Sequence, residues 1–468
     1  MKPNTYDLVV IGGGPAGSSG ALTAAAFGKR VALVDQTGQL GGAGINTGTI
    51  PSKTLRESAL LISGWRASKL LGVDVSRRAE AKLSDFTHHE RQVTASQRQQ
   101  LETRCQERCV EVINGRARFL DPQTVGVIRA DGTELALHGE KILVATGSSP
   151  VRPLEFPFEH PRVHDSNEIL AIIEMPKKLA VVGAGVIGAE YACTFAALGV
   201  EVHLVDGRES LLPFLDEEIS AAVTRAMIAA GVQFHWKERV THCEVRGECD
   251  VRLTLSSGAE LAVSDVLVAS GRSSNTETLD LAAAGLTPGK RGLLSVDAHY
   301  RTEVPHIYAA GDVVGPPALA ATSMEQARVA ICHAFDLLKK ETSPVLPVGI
   351  YTIPEASMVG ETEQSLKAKG VDYILGRAGY AENPRGRIIG DEAGFLKLIF
   401  RREDMRLLGV HVVGEQATEL VHIGLMALLC EGDAGLFSYA CFNYPTLGDL
   451  YKTATYDAMR QQIFPPAS

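Results

Sequence analysis

The sequence predicts an α/β fold in which one strand–turn–helix–strand unit occurs twice, and two stretches of chain carry the prediction. In the first, the apolar run Tyr6–Ile11 leads into Gly12-Gly13-Gly14-Pro15-Ala16-Gly17, a small-residue helix through Phe27, and a strand Val31–Val34 that ends in Asp35. In the second, Leu179–Val182 leads into Gly183-Ala184-Gly185-Val186-Ile187-Gly188, a helix through Leu198, and Val202–Val205 ending in Asp206. Glycines at these spacings let the backbone turn tightly, let a pyrophosphate approach it, and let the helix pack on the strand. The helix N-terminus adds free N–H groups and a positive dipole end for that pyrophosphate. The terminal acid is placed to accept a hydrogen bond from the adenosine ribose. One such glycine pattern is a weak signal, because glycine-rich turns also serve plain helix–strand packing. Two of them, each in context and each with its acid, imply two Rossmann-like domains and two bound dinucleotides.

With 468 residues the chain has room for roughly three domains of about 100–200 residues each. An apolar fraction of 45% with 22% charged residues is the composition of a globular protein with a substantial core. No run approaches the ~18–20 apolar residues that a membrane span needs. The chain passes from Met1 to Leu8-Val9-Val10-Ile11 with Asp7 in front, whereas a secretory signal opens on basic residues and carries a longer apolar stretch. A cytoplasmic protein with no membrane partner is the expectation. A net charge of −9 offers no basic stripe to neutralise phosphates, so no nucleic acid partner is expected.

Two helical stretches follow the first unit: an amphipathic one over Thr54–Leu70 and a longer, highly polar one over Ser84–Cys109. In the latter, His88 and His89 lie beside Glu90, Arg91 and many glutamines, the pattern of a solvated face rather than a metal site. The eight cysteines are scattered. Cys105 and Cys109 share a helix face and Cys243 and Cys249 flank a hairpin, but neither pair belongs to a zinc ligand set. Ordinary reduced thiols and no metal are expected.

Between the first unit and these helices lies Gly41-Gly42-Ala43-Gly44-Ile45-Asn46-Thr47-Gly48-Thr49-Ile50-Pro51-Ser52-Lys53. This segment resembles the flavin-side active-site segment of the pyridine nucleotide–disulfide oxidoreductases, where two cysteines five positions apart form a disulfide stacked on the flavin. Here those positions hold Gly44 and Thr49, neither of which can carry electrons. Further pieces are similar to the same family in the same order. Asn114–Phe119, with Ala117, resembles its adenine-side loop, and Ala145-Thr146-Gly147, after the strand Lys141–Val144, its closing turn. Gly271-Arg272-Ser273-Ser274-Asn275-Thr276 resembles the exit from its second nucleotide domain, and Tyr308-Ala309-Ala310-Gly311-Asp312 the motif whose aspartate binds the FAD ribitol.

The resemblance covers essentially the whole chain. It implies an FAD-binding domain over 1–149, an NAD(P)-binding domain over 150–272, a return to the FAD domain over 273–344, and an α+β dimerisation domain over 345–468. The assembly implied is a homodimer or a higher homo-oligomer. FAD is implied on Gly12, Gly14, Gly17, Asp35, Gln36, Gly41, Gly42, Gly44, Thr49, Ala117, Thr146, Gly147 and Asp312, with the helix opening at Ala320 aimed at the flavin pyrimidine. The family's lysine beside flavin N5 falls on Lys53, and its glutamate partner on Glu190, two residues after Gly188. A cation near N5 favours the electron-rich reduced ring, and the carboxylate limits the cost of partly burying that cation. Singly, Lys53 reads as a helix-surface lysine and Glu190 as a helix-start acid. Together on motif positions, the functional reading is preferred.

The second unit implies a nicotinamide nucleotide on Gly183, Gly185, Gly188 and Gly271. Asp206 suits the 2′-hydroxyl of NAD and repels a 2′-phosphate, whereas Arg208 is a bidentate donor for that phosphate. A site taking both NAD(H) and NADP(H), and a strict NAD site with Arg208 solvated, both stay open. The C-terminal Phe442-Asn443-Tyr444-Pro445-Thr446-Leu447-Gly448-Asp449 is a second departure. Disulfide reductases of the family carry a histidine and a glutamate there, an acid–base pair that one subunit lends to the other. Here Tyr444 and Asp449 stand at those positions, and without a thiol pair there is no thiol proton to shuttle. This segment, the Asn46–Lys53 run and Pro317–Gln326 together resemble the soluble, Si-specific NAD(P)+ transhydrogenases within the family, although those relatives often keep a cysteine at the place of Gly44. The resemblance implies Lys53, Glu190, Tyr444 and Asp449 as the catalytic set, and FAD-dependent hydride transfer between NADPH and NAD+ in a ping-pong cycle. Two alternatives stand beside it: an NAD(P)H dehydrogenase reducing a quinone, and a non-catalytic nucleotide-sensing flavoprotein, which an intact Lys53 and Glu190 disfavour.

Overall fold

Leu8-Val9-Val10-Ile11 is apolar at every position, the signature of a strand covered on both faces. In the computed structural model, which describes residues 4–64, 70, 83–172, 174–247, 250–337 and 341–464, the strand Asn4–Ile11 lies between two parallel neighbours. Leu8 pairs with Val31 and Ile11 with Val34 on one side, and Leu8 with Lys141 and Ile11 with Val144 on the other. The sheet runs Glu111–Asn114, Val31–Asp35, Asn4–Ile11, Glu134–Val144, Thr124–Ile128, Arg116–Asp121, and Ile307–Ala309 adds in parallel to Glu134–Val144. The strand Glu134–Val144 starts earlier than the expected Lys141, because its first residues also pair antiparallel with Thr124–Ile128. The helices Pro15–Ala26 and Ala320–Ala334 pack against each other on this sheet.

After Val144 the chain builds a second sheet, all parallel, in the order Gln233–Trp236, Glu201–Asp206, Lys178–Val182, Asp265–Val268, Val163–Asp165. The helices Val186–Ala197 and Glu217–Ala229 share a core with one of its faces through Val181, Leu204, Val223 and Leu267. An antiparallel trio, Val240–Val245, Val251–Leu255 and Glu260–Val263, covers the other through Val251, Leu253 and Val263. The crossing strands Ser148–Pro150 and Arg272–Ser274 pair antiparallel, and the expected boundaries at 150 and 272 fall on them.

The remaining chain forms a five-stranded antiparallel sheet ordered Val348–Ile350, Ala356–Gly360, Leu407–Val413, Phe395–Arg401, Tyr373–Gly379, with the helices Ala417–Leu429, Ala434–Tyr439 and Leu450–Ile463 against it. The last helix lies so close to Tyr373–Gly379 that a Cβ on Gly376 would meet the Ala454 carbonyl oxygen at 2.0 Å.

Two helix boundaries differ from the sequence reading. The helix expected over Thr54–Leu70 spans Thr49–Ile62, and residues 65–69 lie outside the described residues. Pro51 explains the earlier start: it is tolerated in a helix's first turn, where its missing N–H has no intrahelical partner to lose. The polar helix spans Leu83–Glu107 rather than Ser84–Cys109, and the chain turns at Cys109 with φ +55°. His88 and His89 are exposed on it. Cys243 is buried in its strand, and Cys249 lies outside the described residues. Among the described residues no helix is long and apolar enough to cross a membrane.

Candidate active site

The first glycine turn is built by close approach. Gly12 has φ +106°, and a Cβ on Gly17 would lie 1.8 Å from the Gly12 carbonyl oxygen. Only glycine lets the helix Pro15–Ala26 start against the strand end. That helix begins at Gly14 with no capping side chain, so its first-turn N–H groups are left for a ligand. Asp35 is buried, and its Oδ2 accepts from the Gly13 amide at 2.8 Å. Its Oδ1 accepts from Thr37 N at 2.8 Å and Thr37 Oγ1 at 2.6 Å, and Gln36 beside it is exposed. Gly41 and Gly42 have φ +104° and +50°, and a Cβ on Gly42 would sit 2.8 Å from the Gly14 Cα, so the second glycine pair is pressed onto the first turn.

Around this cradle the structure leaves one polar group waiting for a partner. Thr146 Oγ1 is buried and unbonded, between the sheet end and Gly147, which has φ +68°. Asp312 accepts from Ser148 Oγ at 2.6 Å, and Arg272 holds Ser148 from behind through its oxygen atoms at 2.8 and 2.6 Å. The helix Ala320–Ala334 opens after Leu319 without a capping side chain. An orphaned hydroxyl, two uncapped helix starts and glycines where a backbone must come close together fit a dinucleotide such as FAD. Ala117 is the exception in kind. The segment expected as a loop is a tight strand–Gly115–strand crossing, and the Ala117 side chain is in the core, so only its backbone is offered to a ligand.

Lys53 lies in the second turn of the helix Thr49–Ile62, and Glu190 in the helix Val186–Ala197 of the second unit. The fold closes the 137 residues between them into an ion pair: Lys53 Nζ donates to Glu190 Oε2 at 2.6 Å. Glu190 is buried, and its other oxygen accepts from the Tyr351 amide at 2.9 Å. The Tyr351 ring lies under the Lys53 ammonium, 5.0 Å from its centroid. Glu190 is thereby fixed at both oxygens while Lys53 stays partly exposed, a positioned cation facing open space.

Gly44 is buried in the short helix Gly42–Asn46, and a Cβ there would meet Pro15 Cγ at 2.6 Å. A cysteine at 44 therefore needs Pro15, the first residue of its own helix, to move. None of the described cysteines is disulfide-bonded. Burial pushes the Cys193 thiol up to about 12 and the Cys243 thiol up to about 11, so both are protonated and inert.

The second glycine turn repeats the backbone plan of the first. Gly183 has φ +107°, a Cβ on Gly188 would lie 1.9 Å from the Gly183 carbonyl oxygen, and Gly185 has open space around it. The helix Val186–Ala197 also starts uncapped. Gly271, with φ +123°, closes the turn that leaves this unit. Arg208 is exposed yet paired: it grips Asp206 through Nε at 2.8 Å and Nη2 at 2.7 Å, while the Ala184 and Arg208 amides bind the same carboxylate at 2.6 and 2.8 Å. Burial works against the charge on Asp206, but these donors outweigh it and hold the carboxyl at about 2.

Tyr444 and Asp449 stand apart from this constellation within one chain. Tyr444 is 76% exposed, Asp449 precedes the helix Leu450–Ile463, and neither bonds Lys53 or Glu190 among the described residues.

Two family models match the chain: the pyridine nucleotide-disulphide oxidoreductase model over residues 6–334, and that family's dimerisation-domain model over 346–455. The chain belongs to the pyridine nucleotide-disulphide oxidoreductase family. Within it, the chain is 42% identical over 457 residues to a protein of Mycobacterium tuberculosis named soluble pyridine nucleotide transhydrogenase, covering 97% of both chains. A protein of the same name from Azotobacter vinelandii is 39% identical over 464 residues, covering 98% of this chain and 100% of the relative. Among solved structures, LpdA of Mycobacterium tuberculosis superposes with a TM-score of 0.90 at 27% identity, covering 97% of this chain and 99% of that one. The HOCl-induced flavoprotein disulfide reductase RclA of Escherichia coli gives 0.88 at 28%, over 97% and 99%.

In this oxidoreductase the sequence reading missed three supports. Tyr351 holds Glu190 by its backbone, which no side-chain pattern signals. Arg98, on the polar helix, donates from Nε and Nη2 to Asn46 Oδ1 at 3.1 and 2.9 Å, and so anchors the helix that contains Gly44. Arg56 donates to the Thr352 carbonyl at 3.1 Å and pairs with Glu355 at 3.3 Å, tying the Lys53 helix to the C-terminal sheet. A buried arginine three residues after Lys53 on one helix is the signal that was available.

Proposed function

We propose that this chain is an FAD-dependent enzyme that moves hydride between NADPH and NAD+, a soluble pyridine nucleotide transhydrogenase like the relatives it matches. The observation that carries this reading is the Lys53–Glu190 pair at 2.6 Å, intact beside a segment in which Gly44 and Thr49, on two successive helices, stand where the thiols would be and Pro15 fills the space of a side chain at 44. Gly12, Gly14, Gly17, Asp35, Gly42, Thr146 and Asp312 would hold FAD, which when bound would supply a ring able to take up and give back hydride. Lys53 places a positive charge at the face where that exchange occurs, and Glu190 keeps the ammonium aimed and charged. The uncapped helix start at Ala320 adds a positive dipole end.

Residues 1–149 and 273–344 form the FAD domain on this reading, 150–272 the nicotinamide domain and 345–468 the dimerisation domain. The second unit takes the nicotinamide nucleotides on Gly183, Gly185, Gly188 and Asp206. The assembly is a homodimer. Met426, Leu436, Tyr439 and Tyr444 are exposed on the dimerisation domain, where a partner would cover them. Tyr444 and Asp449 then complete the site of the opposite subunit, where they shape the pocket without a thiol proton to move.

Anaerobic stopped-flow tests the function. NADPH should bleach the flavin absorbance of the holoenzyme, and thio-NAD+ should restore it fully. Slow recovery with thio-NAD+ beside fast turnover of a quinone would replace this reading with an NAD(P)H dehydrogenase, and an unbleached flavin would leave a nucleotide-sensing protein.

A further inference from the structure

Lys53 and Arg56 are three residues apart on the helix Thr49–Ile62, so they emerge on one face of it. Lys53 reaches Glu190, and Arg56 reaches residues 351–355 of the C-terminal domain. That segment is gripped at two neighbouring points. The Tyr351 amide donates to Glu190 Oε1 at 2.9 Å, and one residue later the Thr352 carbonyl accepts from Arg56 Nε at 3.1 Å. Thr352 is fully buried, and the Arg56 side chain is only 4% exposed. A guanidinium buried that far needs a counter-charge, and the buried Glu355 supplies one at 3.3 Å. Glu57, at 2.8 Å, holds the same arginine from the solvent side.

Glu355 carries the contact one element further. Its Oε2 accepts from the Thr418 amide at 3.2 Å and the Thr418 hydroxyl at 2.9 Å, at the start of the helix Ala417–Leu429. Burial pushes the Glu355 carboxyl up, while Arg56 and the Thr418 donors work to keep it charged. Burial likewise pushes the Tyr351 phenol up, and the Thr418 side chain bonded to it opposes that rise. Thr418 therefore stands against both ends of the segment. The polar contacts close a ring that runs from Lys53 through Glu190, Tyr351, Thr418, Glu355 and Arg56 and returns along one helix turn.

We propose that Arg56, Glu355 and Thr418 are positioning residues for Lys53, and that residues 351–355 are the strap by which the C-terminal domain sets where the ammonium stands. Glu190 aims Lys53 firmly only while its other oxygen is held, and the Tyr351 amide holds it. Arg56 pins the chain one residue beyond that amide, and Glu355 and Thr418 pin Arg56 in turn. The Tyr351 ring, 5.0 Å from the ammonium, belongs to the same strap. Without the pin, Lys53 keeps its charge but loses its single aimed position. Misplacement of a reacting or stabilising group by about an ångström is enough to cost rate. The strap is invisible to a motif search, because Thr352 lies 296 residues from Arg56.

The proposal rests on the proposed function, which places Lys53 beside the flavin, and the flavin midpoint potential reads that placement without turnover. A cation near the ring favours its electron-rich reduced form, so displacing the cation lowers the potential. The potential of the FAD-loaded protein would be measured against reference dyes, with no nicotinamide nucleotide present, in wild type, Arg56→Met, Lys53→Met and the double variant. Arg56→Met should lower the potential part of the way to the Lys53→Met value, and should add nothing once Lys53 is replaced. It should also slow bleaching by NADPH about tenfold and leave the NADPH dissociation constant within about twofold. Thr418→Val, which keeps the shape and removes the hydroxyl, should shift the potential the same way by less. If Arg56→Met does not fold, Glu355→Gln takes its place in the same cycle. A wild-type potential in the Arg56 or Glu355 variant, or an equal shift with and without Lys53, would mark a merely structural arginine and overturn the proposal. An unchanged Thr418→Val would remove the C-terminal helix from it. No shift in Lys53→Met would sink the placement of Lys53 and the strap together, whereas a working cycle beside a flavin that NADPH does not bleach would sink only the transhydrogenase.

Discussion

In the first glycine turn Asp35 is held by three neutral donors, the Gly13 amide and the amide and hydroxyl of Thr37. In the second, Asp206 is held by two amides and the guanidinium of Arg208. The backbones are otherwise near copies, down to the 1.8 and 1.9 Å approaches that exclude a Cβ at Gly17 and Gly188. Neutral donors orient a carboxylate without cancelling its charge, and on the proposed function Asp35 would turn that charge on a ribose hydroxyl of the resident cofactor. At Asp206 a guanidinium offsets the charge instead, and on the proposed function each nicotinamide nucleotide would have to accommodate it. On the proposed function, one backbone turn would serve retention at Asp35 and exchange at Asp206 through the partner of a single acid.

The sharpest way to break that comparison is to block one turn at a time. Gly17→Ala should abolish FAD retention, read as flavin absorbance per chain, because the added Cβ strikes the Gly12 carbonyl oxygen. Gly188→Ala should keep a full flavin spectrum and lose bleaching by NADPH. Equal flavin loss in both variants would show that the turns are not independent.

A second difference lies in how each unit is anchored. Lys397 of the C-terminal sheet is fully buried and donates to Asp216 at 2.8 Å at the start of the helix Glu217–Ala229, with Glu218 and Glu363 also paired to it. Asp216, Glu218 and Glu363 would otherwise resemble a metal site among the described residues, and the ammonium already fills it. Lys397→Met leaves the buried Asp216 uncompensated and should lower stability by about 3 kcal/mol in denaturant titrations of the holoenzyme. Flavin content should hold in the folded fraction, since the anchor is on the nicotinamide side.

Between the units, Lys53→Met should slow bleaching by NADPH about a hundredfold, the loss typical of removing one preorganised charge, with FAD still bound. An unchanged rate would remove Lys53 from the mechanism.

The smallest effect concerns acid stability. Asp206, held at about 2 when folded against an ordinary carboxyl near ~3.9, contributes stability that is complete above the unfolded value and is lost as the pH falls toward 2. Arg208→Gln raises the folded value, so that contribution should fade at higher pH, and denaturant midpoints measured between pH 5 and pH 3, about the range in which carboxyls titrate, should diverge from wild type as the pH drops. Parallel curves would mean that Arg208 does not set the charge on Asp206.

Much of this was legible locally. A glycine that needs φ near +106°, an uncapped helix start and an acid at a strand end are short-range demands, and Gly12–Asp35 and Gly183–Asp206 display them in consecutive residues. The loss of thiols at Gly44 and Thr49 is legible for the same reason. The start of the Lys53 helix was not, because Pro51 reads as a breaker unless it is known to lie in a first turn. Nor was the partner of Arg208, because no residue pattern tells whether its side chain folds back onto Asp206 or extends into solvent.

By itself the sequence determined the α/β class, the two nucleotide turns and the absence of a dithiol, since each follows from residue types within a few positions of one another. Only the tertiary structure decided that Lys53 meets Glu190 across 137 residues, that Pro15 occupies the space a cysteine at 44 would need, and that Arg56 ties the Lys53 helix to Glu355 of the C-terminal sheet. The physical reason is common to all three. Charge pairing and steric exclusion act over a few ångströms of space, and no spacing along the chain reports which distant segments folding will bring to that distance.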